Sequence, residues 1–230
     1  MDEAQEVKRY LPPFFLIPLL LLGGNAFCQH ADSSAGLRAA DLVELVRLDS
    51  TFRLDIRYAT PRNFLGRPVY AQPRAFLRRP AAEALLRVHR WLRRQGYGLV
   101  IFDGYRPWAV TKLFWDETPP DKRRYVANPS KGSVHNRGCA VDLTLYDRHT
   151  GEEVVMPSAY DAFVPSASAS YRGGTQRERR MRDLLIRAMR RVGFTVNPDE
   201  WWHFNFRGWR NYPVLDIPFE QLAPRPAIGD

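Results

Sequence analysis

Three features of the chain predict a single domain that mixes helices and strands. Two segments place apolar residues at helical spacing, three short runs read as strands, and 45% hydrophobic residues in 230 suffice for the core of one domain. The same helix–strand alternation is also compatible with a parallel α/β sheet, so strand direction is not fixed by the pattern alone.

The elements follow in chain order. Residues 41–58 mix short apolar stretches with charge and suggest early strands or a short helix, and Tyr58 to Phe64 reads as loop because of Pro61 and Asn63. From Ala81 to Gln95, Leu85, Val88 and Leu92 recur at helical spacing, with Gly96 to end the helix. Gly98 to Phe102 reads as a buried strand, Asp103-Gly104-Tyr105-Arg106 as the loop at its end, and Pro107 as the first turn of a helix reaching Trp115. Residues 117–134 look irregular. Cys139 to Tyr146 alternates, with Cys139, Val141, Leu143 and Leu145 facing a core and Ala140, Asp142 and Thr144 turned away, which predicts a strand with one core face. Residues 147–174 read as a long loop. Thr175-Gln176-Arg177-Glu178 has the pattern of a capping box opening a basic amphipathic helix, with Met181, Leu184, Leu185, Ala188 and Val192 inward and Gly193 closing it. Trp201 to Phe206 reads as an aromatic strand, and a Pro-rich tail follows.

The N-terminus predicts export. Lys8 and Arg9 precede an apolar run from Leu11 to Leu22, too short for the ~20 residues of a membrane span and interrupted by Pro12, Pro13 and Pro18. We therefore expect a signal peptide over 1–28, a polar linker over 29–40 and one folded domain over 41–230, periplasmic or extracellular and not stably inserted in the membrane after cleavage. Lipid anchoring at Cys28 ranks second, because Asn25-Ala26-Phe27 is a poor match to the sequence that directs it. With Cys28 removed, Cys139 is left as a small core residue with no disulfide partner. The formal charge is +9, carried mainly by arginines scattered along the sequence, and no nucleic-acid motif accompanies it.

Chemistry concentrates around two of the five histidines. His30, His89 and His149 lack ligand-type neighbours and read as ordinary polar residues. His135 stands just before the strand that carries Asp142, with Gly138 letting the backbone turn between them. Glu200-Trp201-Trp202-His203 supplies a second imidazole with a carboxylate three residues earlier. Two imidazoles and one carboxylate make a three-ligand zinc set that leaves a fourth position for water, the arrangement of catalytic rather than structural zinc. A further Glu can take a proton from that water. On a regular strand, residues three apart face opposite sides, so Glu200 and His203 share a site only if the chain bends, as Pro198 and Asp199 allow.

Ser133-x-His135-x-x-Gly138-x-Ala140-x-Asp142 followed by Glu200-x-x-His203 resembles the D-alanyl-D-alanine dipeptidases related to VanX, within the wider zinc D,D-peptidase and hedgehog-like group. Further fragments in the same order carry the resemblance from about Asp55 to Phe219: Tyr58-Ala59-Thr60 with Asn63-Phe64, Asp103-Gly104-Tyr105-Arg106-Pro107, and Met156-Pro157-Ser158 with Tyr160-Asp161. It implies an α+β fold, a mostly antiparallel central sheet flanked by helices, with a zinc cleft on the sheet. It also implies one Zn²⁺ on His135, Asp142 and His203, Glu200 as general base, and Arg106 stabilising the oxyanion. Tyr58 and Asp161 resemble residues that receive the free ammonium of a small D,D-dipeptide. Ser133 either contacts substrate or shapes the turn before His135, while Trp201 and Trp202 read as wall and core.

Two rivals stay open at this point. A zinc D,D-carboxypeptidase would use the same metal and base on longer peptides, but an amine pocket at Tyr58 and Asp161 closes the site to them. A zinc-stabilised binding module would lack a base, and Glu200 is present.

Overall fold

The computed structural model describes residues 42–222. The expected signal peptide with Cys28, the linker, and the last eight residues lie outside that range. Among the described residues, no helix is long and apolar enough to cross a membrane.

The chain opens with β1 (Leu42–Glu44), a four-residue helix α1 (Leu45–Leu48) and β2 (Arg53–Leu54). β3 (Phe76–Arg78) pairs antiparallel with β1, and α2 (Arg79–Arg94) follows it directly. Then come β4 (Tyr97–Asp103), α3 (Trp108–Glu117), β5 (Ala140–Asp147), α4 (Gln176–Arg190), β6 (Phe194–Asn197) and β7 (Glu200–Phe206). The main sheet has five strands in the order β2-β4-β5-β7-β6.

That sheet is mixed, which corrects the expectation of a mostly antiparallel one. β2 runs parallel to β4, while β4–β5, β5–β7 and β6–β7 are antiparallel. Connectivity is the reason. Between β2 and β4 the chain crosses over through β3 and α2 and returns in the same direction, whereas β6 and β7 are joined by a tight turn. The α+β class itself holds.

A second correction concerns β5. Its first seven residues are all buried, so both faces are covered, not one. Val141, Leu143 and Leu145 join the main core with Leu85, Val88 and Leu92 of α2 and Leu185 and Met189 of α4. On the opposite face, Val100, Phe102 and Tyr146 form a small separate cluster against Tyr160 of the long loop. α2 and α4 thus cover one side of the sheet, and the 147–174 loop contributes to the cover of the other, where Phe114 of α3 also lines the cleft. α4 begins with the expected capping box: the Thr175 hydroxyl accepts from the Glu178 amide, and the Glu178 carboxylate accepts from the Thr175 amide. Such a cap contributes about 1 kcal/mol.

Candidate metal centre and active-site cleft

Strand register assembles the centre. Asp142 of β5 lies opposite His203 of β7 on one side and Asp103 of β4 on the other. Residues directly opposite in a ladder point to the same face. This row therefore projects away from α2 and α4, on the side of the sheet where Asp142 alternates out of the core. His135 reaches it from the 3₁₀ turn His135–Arg137 just before β5. Gly138 ends that turn with φ 68°, a conformation that favours glycine, and a Cβ there would also crowd the Leu42 side chain at 2.6 Å. Asn136, fully buried, locks the turn. Its amide donates to the Arg106 carbonyl and to Thr111 Oγ1, and its oxygen accepts from the Ser133 amide. The Ser133 hydroxyl accepts from the His135 amide, so this side chain shapes the turn while also lining the cleft.

Three donor atoms converge on one point. His135 Nε2 is 3.1 Å from His203 Nδ1, His203 Nδ1 is 3.0 Å from Asp142 Oδ1, and His135 Nε2 is 3.4 Å from the same oxygen. The outer nitrogens are already committed. His135 Nδ1 donates to the Gly104 carbonyl at 2.7 Å, and His203 Nε2 donates to Asn205 Oδ1 at 2.9 Å. With those protons placed outside, the inner nitrogens turn lone pairs toward one another and toward Asp142 Oδ1. That oxygen is buried and accepts no hydrogen bond, a condition costing about 1–3 kcal/mol or more. A cation at their centre would satisfy that oxygen and both inner nitrogens at once. A tetrahedral zinc with bonds of about 2.0–2.1 Å sets its ligand atoms roughly 3.3–3.4 Å apart, so the donor set fits that ion with small outward movements. The electrostatics agree. Burial opposes charge on His203, but the Asp142 carboxylate 3.0 Å away outweighs burial and lifts its pKa to about 9. A proton and a metal therefore compete for the same seat.

The carboxylate is steered by its other oxygen. Tyr160 donates to Asp142 Oδ2 at 3.0 Å, and Arg106 Nη2 lies 4.0 Å from it. Arg106 is itself fixed. Its Nε and Nη2 donate to Asp103 Oδ2 at 3.0 and 2.8 Å, and its guanidinium lies over the rings of Phe114 and Tyr58. Asp103 is held in turn by Tyr70 and by the Gly104 amide. A Cβ on Gly104 would sit 2.7 Å from the Phe76 carbonyl oxygen, so the loop that presents Arg106 needs glycine for close approach.

Glu200 lies beside the donors without joining them. One of its oxygens is 3.7 Å from His203 Nδ1 and accepts from Asn197 Nδ2 at 2.8 Å. The bend that the sequence demanded is present. Pairing passes from Val196 opposite Phe204 to Asn197 opposite Glu200, so β7 carries extra residues that turn Glu200 and His203 to one side. Burial raises the Glu200 pKa, with Asp142 adding to the effect against the pull of His203.

Across the cleft, Tyr58 and Asp161 meet as expected. Tyr58, buried in the 3₁₀ turn Arg57–Ala59, donates to Asp161 Oδ2 at 3.1 Å. Asp161 has φ 60°, making it the non-glycine residue in the left-handed region among those described. Burial first, then the negative Asp142, push its pKa up to about 7. A backbone held in this region costs on the order of 1 kcal/mol or more, and here it aims an under-compensated carboxylate into the cavity. The cavity encloses about 660 Å³ and is lined by Tyr58, Arg106, His135, Asp142, Asp161, Glu200 and His203 together.

All eight residues expected at the site are thus brought into one cleft. Sequence reading missed Tyr160, Asn205, Asn197, Asp103 and the Gly104 carbonyl. Tyr160 and Asp103 stand inside fragments already noted, but nothing in local spacing reveals a partner many residues away.

The chain matches the family described as D-ala-D-ala dipeptidase over residues 38–217. It is 37% identical over 186 residues to the D-alanyl-D-alanine dipeptidase of Enterococcus faecium, covering 72% of this chain and 92% of that protein. The D-alanyl-D-alanine dipeptidase of Escherichia coli (strain K12) is 33% identical over 179 residues, covering 78% and 91%. A solved vancomycin-resistance D,D-dipeptidase in complex with a D-Ala-D-Ala phosphinate analogue is 23% identical, covers 58% of this chain and 51% of its own, and has a TM-score of 0.41. On the family match and on relatives aligned over most of their length, this chain belongs to the D-ala-D-ala dipeptidase family.

Proposed function

We propose that the protein hydrolyses D-Ala-D-Ala to two D-alanines in a zinc-dependent reaction, as part of the metabolism of cell-wall peptides. Family membership supports the reaction class and substrate. The convergence of His135, Asp142 and His203 on a shared point, with Asp142 Oδ1 unpaired, is the observation that supports the metal. Those three residues would hold one Zn²⁺, which when bound supplies a Lewis acid and a water acidified toward neutral pH.

The protein's own residues do the rest. Glu200, its pKa raised by burial, takes a proton from the attacking water and delivers it to the leaving amine. Asn197 keeps the Glu200 carboxylate turned toward that position. Arg106, rigid between Asp103 and two aromatic rings, offers its positive charge to the oxyanion as it develops. Asp161 and Tyr58 receive the substrate's ammonium, which lies only one residue from the scissile bond. The Asp161 carboxylate gains in that cation the counter-charge it lacks, so free dipeptides are favoured over N-acylated ones. The direct test is an assay of zinc-loaded and chelator-treated protein on D-Ala-D-Ala. Release of D-alanine by the loaded protein alone supports the proposal, and equal activity after metal removal refutes it.

We also propose export. Lys8, Arg9 and the run from Leu11 to Leu22 support a signal peptide with processing near Gln29. Mass spectrometry of the protein from its native host tests this: a mature N-terminus near Gln29 is expected, and intact Met1 in a soluble cytoplasmic fraction would refute it.

A further inference from the structure

Arginines that look scattered along the sequence are gathered by the fold. α2 carries Arg79, Arg87, Arg90, Arg93 and Arg94 against Glu83 alone. α4, with Arg191 at its end, carries seven arginines against Glu178 and Asp183. The excesses, four and five, together equal the formal charge of +9 for the whole chain, so the other residues balance. Both helices lie on the same side of the sheet, with Leu85, Val88, Leu185 and Met189 in the main core beside Val141 and Leu143. Asp142 alternates to the other side, so the basic face is opposite the cleft.

Between the helices is a recess of about 370 Å³. Its floor is apolar: Val88, Trp91, Ala188 and Val192. Its rim is Arg87, Arg90, Arg94 and Arg191, and no acidic residue lines it. Arg87, Arg90 and Arg94 follow one face of α2 at helical spacing, and the Arg191 guanidinium lies over the Trp91 ring. All four rim arginines are exposed, and none forms an ion pair with an acid among the described residues.

From this segregation of charge we infer that the α2–α4 face docks on an anionic phospholipid bilayer. Headgroup phosphates answer the arginines, and each basic side chain near such a surface strengthens binding about fivefold. The apolar floor with an indole suits the boundary between headgroups and acyl chains. A nucleic-acid surface would be expected to present a free aromatic face for bases, whereas Trp91 is half-buried with Arg191 over it. Docking by this face leaves the cleft directed away from the membrane and open to soluble dipeptide.

The test is co-sedimentation of the full-length chain with vesicles of phosphatidylglycerol and phosphatidylcholine, compared with phosphatidylcholine alone. The triple variant Arg90→Glu/Arg94→Glu/Arg191→Glu is run beside it. Both chains share residues 11–22, so any background from that apolar run cancels. We expect a preference for anionic vesicles that falls by at least about 100-fold in the variant, since three charges are reversed and not merely removed. It should also weaken at about 0.5 M salt, where the screening length is roughly 4 Å. Dipeptidase activity of the variant in solution should be unchanged, and this also reports that it folds. If it does not fold, Arg90→Gln/Arg94→Gln takes its place, with an expected loss of about 25-fold. Equal partition onto both vesicle types, an unchanged preference in the variants, or displacement from vesicles by a short DNA duplex at lower concentration than by soluble phosphatidylglycerol would overturn the inference.

Discussion

The two ends of the cleft are built differently. The metal end stands on register: Asp142 and His203 are cross-strand partners, His135 sits on a turn pinned by Asn136, and each outer nitrogen is tied to a fixed acceptor. The amine end stands on connecting segments. Tyr58 comes from a short 3₁₀ turn, and Asp161 comes from the 147–174 loop with its backbone in the left-handed region. At the metal end negative charge is shared among donors awaiting a cation. At the proposed amine end, burial and the negative Asp142 raise the pKa of the Asp161 carboxyl to about 7. On the proposed reading, chemistry rests on the sheet and the limit on substrate length on the connecting segments.

Substitutions at the two ends should separate along that line. The largest effect belongs to the donors. His135→Ala, Asp142→Ala and His203→Ala should each lose zinc on dialysis and fall to background turnover. Elemental analysis paired with the dipeptide assay checks this, and full zinc with normal turnover in any one of them would remove that residue from the donor set.

Next comes Glu200→Gln, which should keep its zinc while turnover drops by the ~10²–10⁴-fold that accompanies loss of an acid–base group. Zinc lost together with activity would make Glu200 a ligand instead.

At the amine end, Asp161→Asn should raise KM for the free dipeptide by about 10–100-fold, the worth of a charged hydrogen bond, with zinc retained and kcat changed less. The pH dependence has a definite sign. Asp161 has its pKa raised to about 7, so it is increasingly neutral below that value and ionised above it. The substrate ammonium stays charged throughout the lower range. KM should therefore rise as pH falls through about 7 in the wild type, and Asp161→Asn should flatten that limb. A KM profile identical in both proteins would detach Asp161 from the ammonium.

The smallest effect probes the join between the two ends. Tyr160 donates to Asp142 Oδ2 and is the immediate neighbour of Asp161. Tyr160→Phe keeps the ring against Phe102 and Trp202 but frees that oxygen. Zinc affinity should fall by at least about tenfold, as for other partners of ligating carboxylates. Competition with a chromophoric chelator measures it, and unchanged affinity would mean that the strands alone orient Asp142.

Legibility in the sequence followed the same division. His135, Asp142, Glu200 and His203 could be read because ligand types recur at short spacings near a strand, and the bend between Glu200 and His203 was required by strand geometry. The capping box at Thr175 and the helical face of Leu85, Val88 and Leu92 were equally local. β3 and β6, three and four residues long, left no periodic signature. The parallel β2 was hidden for the same reason: two residues cannot announce their direction. Burial of both faces of β5 depends on a loop residue, Tyr160, that no pattern near Thr144 or Tyr146 reveals. Tyr58 and Asp161 lie 103 residues apart, and only family resemblance brought them together before the fold did. The grouping of arginines on α2 and α4 was likewise invisible along the chain and plain once the two helices were seen to share a side.

The most direct test of this division of labour is the ratio of kcat/KM for D-Ala-D-Ala to that for N-acetyl-D-Ala-D-Ala, measured on zinc-loaded wild type and on Asp161→Asn. The wild type should favour the free dipeptide strongly, and Asp161→Asn should lose most of that preference while holding the same zinc. Equal rates on the two substrates in the wild type would contradict the account and point to a carboxypeptidase working with the same metal and base.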